Sequence, residues 1–117
     1  MRTISTIGNF AAFLLLWTVA ATAHAFLDRA EPRVGSTVRA APRELTLWFT
    51  QNVEPAFSTF TVADDSGQRV DAGKTSISGV VHVPLKAIRP GPYRVTWRVF
   101  SVDTHTTEGS FTFKVGE

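Results

Sequence analysis

Cysteine is missing altogether from the 117 residues. Its absence removes disulfide scaffolds, thiolate zinc sites, iron–sulfur clusters and thiol nucleophiles in one step. Methionine is nearly absent as well, since Met1 is the only one, so no thioether can ligate a soft metal ion from within the body of the chain. An excess of one charge is also lacking. Twelve Lys plus Arg face 10 Asp plus Glu, a net charge of +2, whereas nucleic-acid binders concentrate far more positive charge on one face. No nucleic-acid partner is therefore expected. Nor is an enzyme: there is no G-x-S-x-G elbow, no H-E-x-x-H helix and no glycine-rich phosphate loop, and nothing pairs Glu54 with Glu108 as acid and base. What is present is globular. Hydrophobic residues make up 44% and charged residues 19%, too apolar for a disordered chain, and the length suits one domain.

The N-terminus reads as an address. Arg2 gives a positive start, Phe10 to Ala21 is an apolar run broken only by Thr18, and small residues follow through Ala25. A basic start, a short apolar core and an A-x-A site are the parts of a secretory signal peptide. The run is short for a membrane span, which needs about 20 apolar residues. Two cleavage points fit the small-residue rule: Ala21-Thr22-Ala23 allows a cut before His24, and Ala23-His24-Ala25 allows one before Phe26. The first makes His24 the N-terminal residue and the second discards it. Residues 1–23 are expected to be the signal and 24–117 the exported domain, with no membrane insertion once the signal is gone. Loss of Arg2 leaves that domain close to neutral.

Period-two alternation dominates the rest. Leu45, Leu47 and Phe49 alternate with Glu44, Thr46 and Trp48. Phe60 and Val62 alternate with Thr59 and Thr61. Tyr93, Val95, Trp97 and Val99 alternate with Arg94, Thr96 and Arg98. Phe111, Phe113 and Val115 alternate with Ser110, Thr112 and Lys114. Val81, Val83 and Leu85 form a shorter set, and Phe26-Leu27 can open a first strand. Turn residues separate these runs at 31–35, 64–67, 78–79 and 89–92. No window sustains a helical period. Six or seven short strands with one apolar face each predict an all-β Greek-key sandwich.

Asp103 and His105 lie between the last two strand patterns. One residue apart in an extended segment, they share a side, which is half of a metal site; an ordinary exposed loop fits the same pattern. His24, if it is the first residue, adds an α-amino group and an imidazole Nδ1 that can close a chelate ring on one ion. Such a set of nitrogen and oxygen donors suits Cu(II), and Zn(II) is compatible with it. His82, between Val81 and Val83, turns away from the core and reads as an exposed strand histidine. Trp48 covers the sheet or flanks a site, and Trp97 belongs to the core in phase with Tyr93, Val95 and Val99.

In order and spacing, these segments resemble the CopC-type family of periplasmic copper-binding proteins. His24-Ala25-Phe26-Leu27 after the signal carries the likeness, as do Glu31-Pro32 through Gly35-Ser36 and Leu45-Thr46-Leu47-Trp48-Phe49 to Phe57-Ser58. So do Ser101-Val102-Asp103-Thr104-His105 and the strand from Gly109 to Val115. The resemblance implies a seven-stranded, cupredoxin-like or Ig-like sandwich in the periplasm. It implies one Cu(II) per chain on His24 (amine and Nδ1), Asp103 and His105, and cleavage before His24. It also implies a role in copper resistance or in delivery to an inner-membrane copper transport protein. Two departures stand out. The chain has no methionine-rich Cu(I) loop, and Gln51 stands where some members carry a glutamate. Whether Gln51 or His82 adds to the site is open at this stage. The leading expectation is a Cu(II) carrier or buffer; the alternatives are a copper-dependent oxidative enzyme built on an N-terminal histidine chelate and a metal-free Ig-like interaction module.

Overall fold

The computed structural model describes residues 25–117; the predicted signal and His24 lie outside the described residues. Among the described residues, eight strands form two four-stranded sheets. The strands are β1 (Leu27–Glu31), β2 (Thr37–Val38), β3 (Glu44–Phe49) and β4 (Thr59–Asp64), then β5 (Ser76–Ile77), β6 (Val81–Pro84), β7 (Gly91–Phe100) and β8 (Thr106–Val115). The first sheet runs β1-β3-β6-β5 and the second β2-β8-β7-β4. Every pairing is antiparallel except β2 with β8. The non-consecutive neighbours β3/β6 and β4/β7 arise from connections that cross between the sheets, as a Greek-key sandwich requires.

The expected alternation places the core. Leu45 and Leu47 of β3, Phe60 and Val62 of β4, and Val81 and Val83 of β6 are buried, as are Tyr93, Val95, Trp97 and Val99 of β7 and Phe111, Phe113 and Val115 of β8. Burying such side chains stabilises by about 1.5–3 kcal/mol each. Phe49 is only half-buried, with its ring edge-on to Trp97 at 5.1 Å between centroids. Gly109 lies directly beneath that indole: a Cβ there would come within 2.4 Å of Trp97 Cζ2. Eight strands stand where six or seven were expected; the two without a pattern of their own are β2 and β5, each two residues long and too short to show a period.

Turn chemistry acts where it was expected. Tyr93, stacked on Phe113, accepts from Arg89 N–H and donates to Arg89 O, the tyrosine corner of Ig-like sandwiches. On the outer face of the first sheet the Arg29 guanidinium lies 4.1 Å from the centroid of Trp48, so this indole covers the sheet. No helix among the described residues is long and apolar enough to cross a membrane.

Candidate metal centre

The β7–β8 hairpin is long because its two strands pair without interruption from Gly91↔Val115 to Phe100↔Thr106. Its connection, residues 101–105, is tightly closed. Ser101 N–H donates to His105 O at 2.9 Å, and Thr104 N–H donates to Ser101 O at 2.9 Å. Thr104 is left-handed, with φ 73, which turns the chain inside five residues. A second strip of chain braces the loop: Val102 N–H donates to Asn52 O, Glu54 N–H donates to Phe100 O, and Val53 bridges Ser101.

The structure brings Asp103 and His105 together. Asp103 Oδ1 lies 3.5 Å from His105 Nδ1, and both side chains reach solvent, at 33% and 52% exposure. Donors about 2 Å from one ion are roughly 3 Å apart at right-angle to tetrahedral geometry, so a small closure of this separation would let both groups reach one ion. The Ser101 hydroxyl is the first cause that holds the Asp103 carboxyl below its ordinary range, and the nearby His105 imidazole acts in the same direction against partial desolvation. Asp103 is therefore ionised at neutral pH.

One residue after His24, the chain is firmly held. Ala25 is fully buried, and its carbonyl accepts from Thr107 Oγ1. Phe26 N–H donates to Thr50 Oγ1 at 2.9 Å, and Thr50 N–H returns a bond to Phe26 O at 2.8 Å. The backbone entering the domain thus runs against Thr107, two residues along from His105. Among the described residues no group of three or more His, Asp or Glu gathers; Asp103 and His105 make a pair.

The two residues left open at the sequence level differ. Gln51 belongs to the bracing strip, between Thr50, which holds Phe26, and Asn52, which holds Val102. His82 is placed elsewhere. It pairs with Thr46 across β3–β6, four residues before Thr50, which is roughly 13 Å along a strand. Its Nδ1 faces Glu44 Oε2 at 3.0 Å, a cross-strand pair on the outer sheet face.

Sequence reasoning missed Ser101. It is fully buried, and its hydroxyl meets Asp103 Oδ1, His105 O and His105 N. The signal was available: continuing the β7 alternation past Val99 puts position 101 on the core side, where a polar residue needs a partner.

Comparison with known proteins agrees with this architecture. Residues 27–116 match the sequence profile of the CopC domain. Copper resistance protein C of Pseudomonas syringae pv. tomato is 35% identical over 116 residues, covering 91% of this chain and 90% of that protein. Copper transport protein CutJ of Bacillus subtilis is 32% identical over 110 residues, covering 90% of this chain but 20% of CutJ. The crystal structure of PcoC, a methionine-rich copper resistance protein from Escherichia coli, superposes with a TM-score of 0.71 at 30% identity, covering 80% of this chain and 99% of that one. A two-sheet sandwich with an Asp-x-His hairpin loop, a profile match over nearly all the described residues and relatives named for copper resistance and transport together place the chain in the CopC family.

Proposed function

We propose that the chain is a periplasmic Cu(II) carrier or buffer that holds one Cu(II) after residues 1–23 are removed. The ligands in this reading are the His24 α-amine and Nδ1, the Asp103 carboxylate and the His105 imidazole. The observation that carries it is the meeting of Asp103 and His105 at 3.5 Å beside a chain entry fastened to Thr107. Nitrogen and carboxylate donors favour Cu(II), which tops the divalent affinity order. The single methionine, Met1, contrasts with the methionine-rich relative and supports a site without thioether ligands for Cu(I).

As a carrier the protein performs no chemistry on the ion; it binds, shields and surrenders it. Protons compete with copper for the amine and imidazole nitrogens, so acidification releases the ion. The match to one-fifth of CutJ, a copper transport protein, supports delivery to an inner-membrane copper transport partner, and names drawn from resistance and transport support a binding protein over an enzyme. Native mass spectrometry of the exported protein with one equivalent of Cu(II) tests this reading. A mass starting at His24 with one copper retained is the expected result. A mass starting at Phe26 with no copper overturns it.

A further inference from the structure

We propose that Ser101 is a positioning residue for copper, and that it acts by fixing the Asp103 carboxylate against His105. This rests on the reading of Asp103 and His105 as copper ligands. Ser101 is fully buried, at the first core-facing position past the end of β7. Its backbone is fixed by Val53 on one side and by the Ser101 N–H to His105 O bond on the other. The hydroxyl has one proton and two lone pairs. It accepts from His105 N–H at 3.4 Å, and its proton lies within reach of Asp103 Oδ1 and of His105 O.

A hydrogen bond to a carboxylate is about twice as strong as one to a neutral acceptor, so the proton goes to Asp103. The oxygen it holds, Oδ1, is the one that faces His105 Nδ1 at 3.5 Å. A serine at this point therefore sets the rotamer of one ligand and the backbone of the other through a single atom. Without the hydroxyl, the Asp103 carboxylate loses its chief partner and keeps only the weaker contacts to His105, so more of its ordering must be completed each time an ion binds. Outer-shell partners of this kind alter metal affinity by about 10–100-fold.

The experiment is a double-mutant cycle on the exported protein, read as Cu(II) affinity by competition with a chelator of known strength. Ser101→Ala removes one oxygen, adds no atom and is expected to weaken Cu(II) binding about 10-fold. The same change made on top of Asp103→Asn is expected to cost almost nothing further, because the group through which Ser101 acts is already altered. An unchanged affinity in Ser101→Ala overturns the proposal while the copper site stands. So does an equal loss in both backgrounds, which would make Ser101 a purely structural support of the loop. If Asp103→Asn alone leaves Cu(II) affinity intact, the ligand assignment itself fails and the positioning role falls with it.

Should Ser101→Ala melt below the assay temperature, the proton itself can be observed. In the metal-free wild-type protein the sheltered Ser101 hydroxyl is expected to give a slowly exchanging proton resonance that moves in Asp103→Asn. A hydroxyl proton that exchanges freely, or one indifferent to Asp103→Asn, overturns the proposal.

Discussion

Two five-residue connections in this protein share a backbone and differ in chemistry. In residues 64–68, Asp64 N–H donates to Gln68 O at 2.9 Å and Gly67 N–H donates to Asp64 O at 3.0 Å. Residues 101–105 repeat both bonds with Ser101, Thr104 and His105, and the fourth residue of each loop is left-handed, Gly67 at φ 88 and Thr104 at φ 73. The side chains are exchanged. The first loop reads Asp-Asp-Ser-Gly-Gln and the second Ser-Val-Asp-Thr-His, with aspartate and serine trading the first and third places. In the first, Asp64 Oδ1 accepts from Ser66 N–H, Ser66 Oγ and Gln68 N–H, and the carboxylate is absorbed by its own turn. In the second, a small hydroxyl caps the turn from inside, and the carboxylate stands at the tip opposite a histidine. A loop becomes available for chemistry when something smaller takes over its structural hydrogen bonds.

The sharpest way to break this comparison is to remove a proposed ligand from one loop and the cap from the other. His105→Ala is expected to lower Cu(II) affinity by more than the ~100-fold that marks the upper end for an outer-shell partner, with the fold unchanged by circular dichroism. Asp64→Ala is expected to leave Cu(II) affinity where it was and to lower the unfolding midpoint. Equal affinities in the two variants would erase the distinction between the loops.

Next in size is a change that touches the scaffold behind the second loop. Gly109→Ala forces a methyl into the Trp97 ring and is expected to destabilise by about 1–3 kcal/mol in urea unfolding. Its Cu(II) affinity, measured well below the transition, is expected to stay close to wild type, since no proposed ligand moves.

Acid acts on both loops alike, and more gently. Both aspartates are held below the ordinary carboxylate value of 3.8, Asp64 chiefly by the Ser66 hydroxyl and the Gln68 N–H, Asp103 chiefly by the Ser101 hydroxyl. A carboxyl whose folded pKa is depressed contributes stability that is complete above its unfolded pKa and is lost as pH falls through the folded one. Stability of the metal-free protein is therefore expected to fall below about pH 4, with a shallower fall in Asp64→Ala and in Ser101→Ala. The smallest effect concerns Thr104. A β-branched residue at φ 73 is strained, and glycine stands at the matching place in the other loop. Thr104→Gly is expected to stabilise by about 0.5 kcal/mol, the strain relieved slightly exceeding the added freedom of the unfolded chain.

Much of this was legible beforehand, for reasons that differ by element. β3, β7 and β8 are long enough to show period-two burial, so their core positions could be read off directly. β2 and β5 are two residues each and exist only because a neighbouring strand offers them partners. Asp103 and His105 were marked by residue type and spacing on the premise of an extended segment, whereas a tight turn with Thr104 at φ 73 is what brings them together; their reading as ligands came from the family resemblance. Ser101 was not marked, because serine is ordinary at a turn and only its place in the β7 register marks it as buried. The separation of His82 from the loop followed from the β3–β6 pairing, which a single strand pattern does not reveal.

The bond between Thr107 and Ala25 joins positions 82 apart in the chain, which gives it a place in time as well as in space. Local turns close early, whereas contacts of such long sequence separation must wait until the loop-closure entropy between them has been overcome. The chain at Ala25 is thus expected to settle against Thr107 after the β7–β8 hairpin has formed. In the proposed site, the nitrogen donors at residue 24 would then meet Asp103 and His105 last of all, and a chain still threading its way to a fold would have no way to hold the ion as the native protein does. Loading with copper would in that case report that folding is complete.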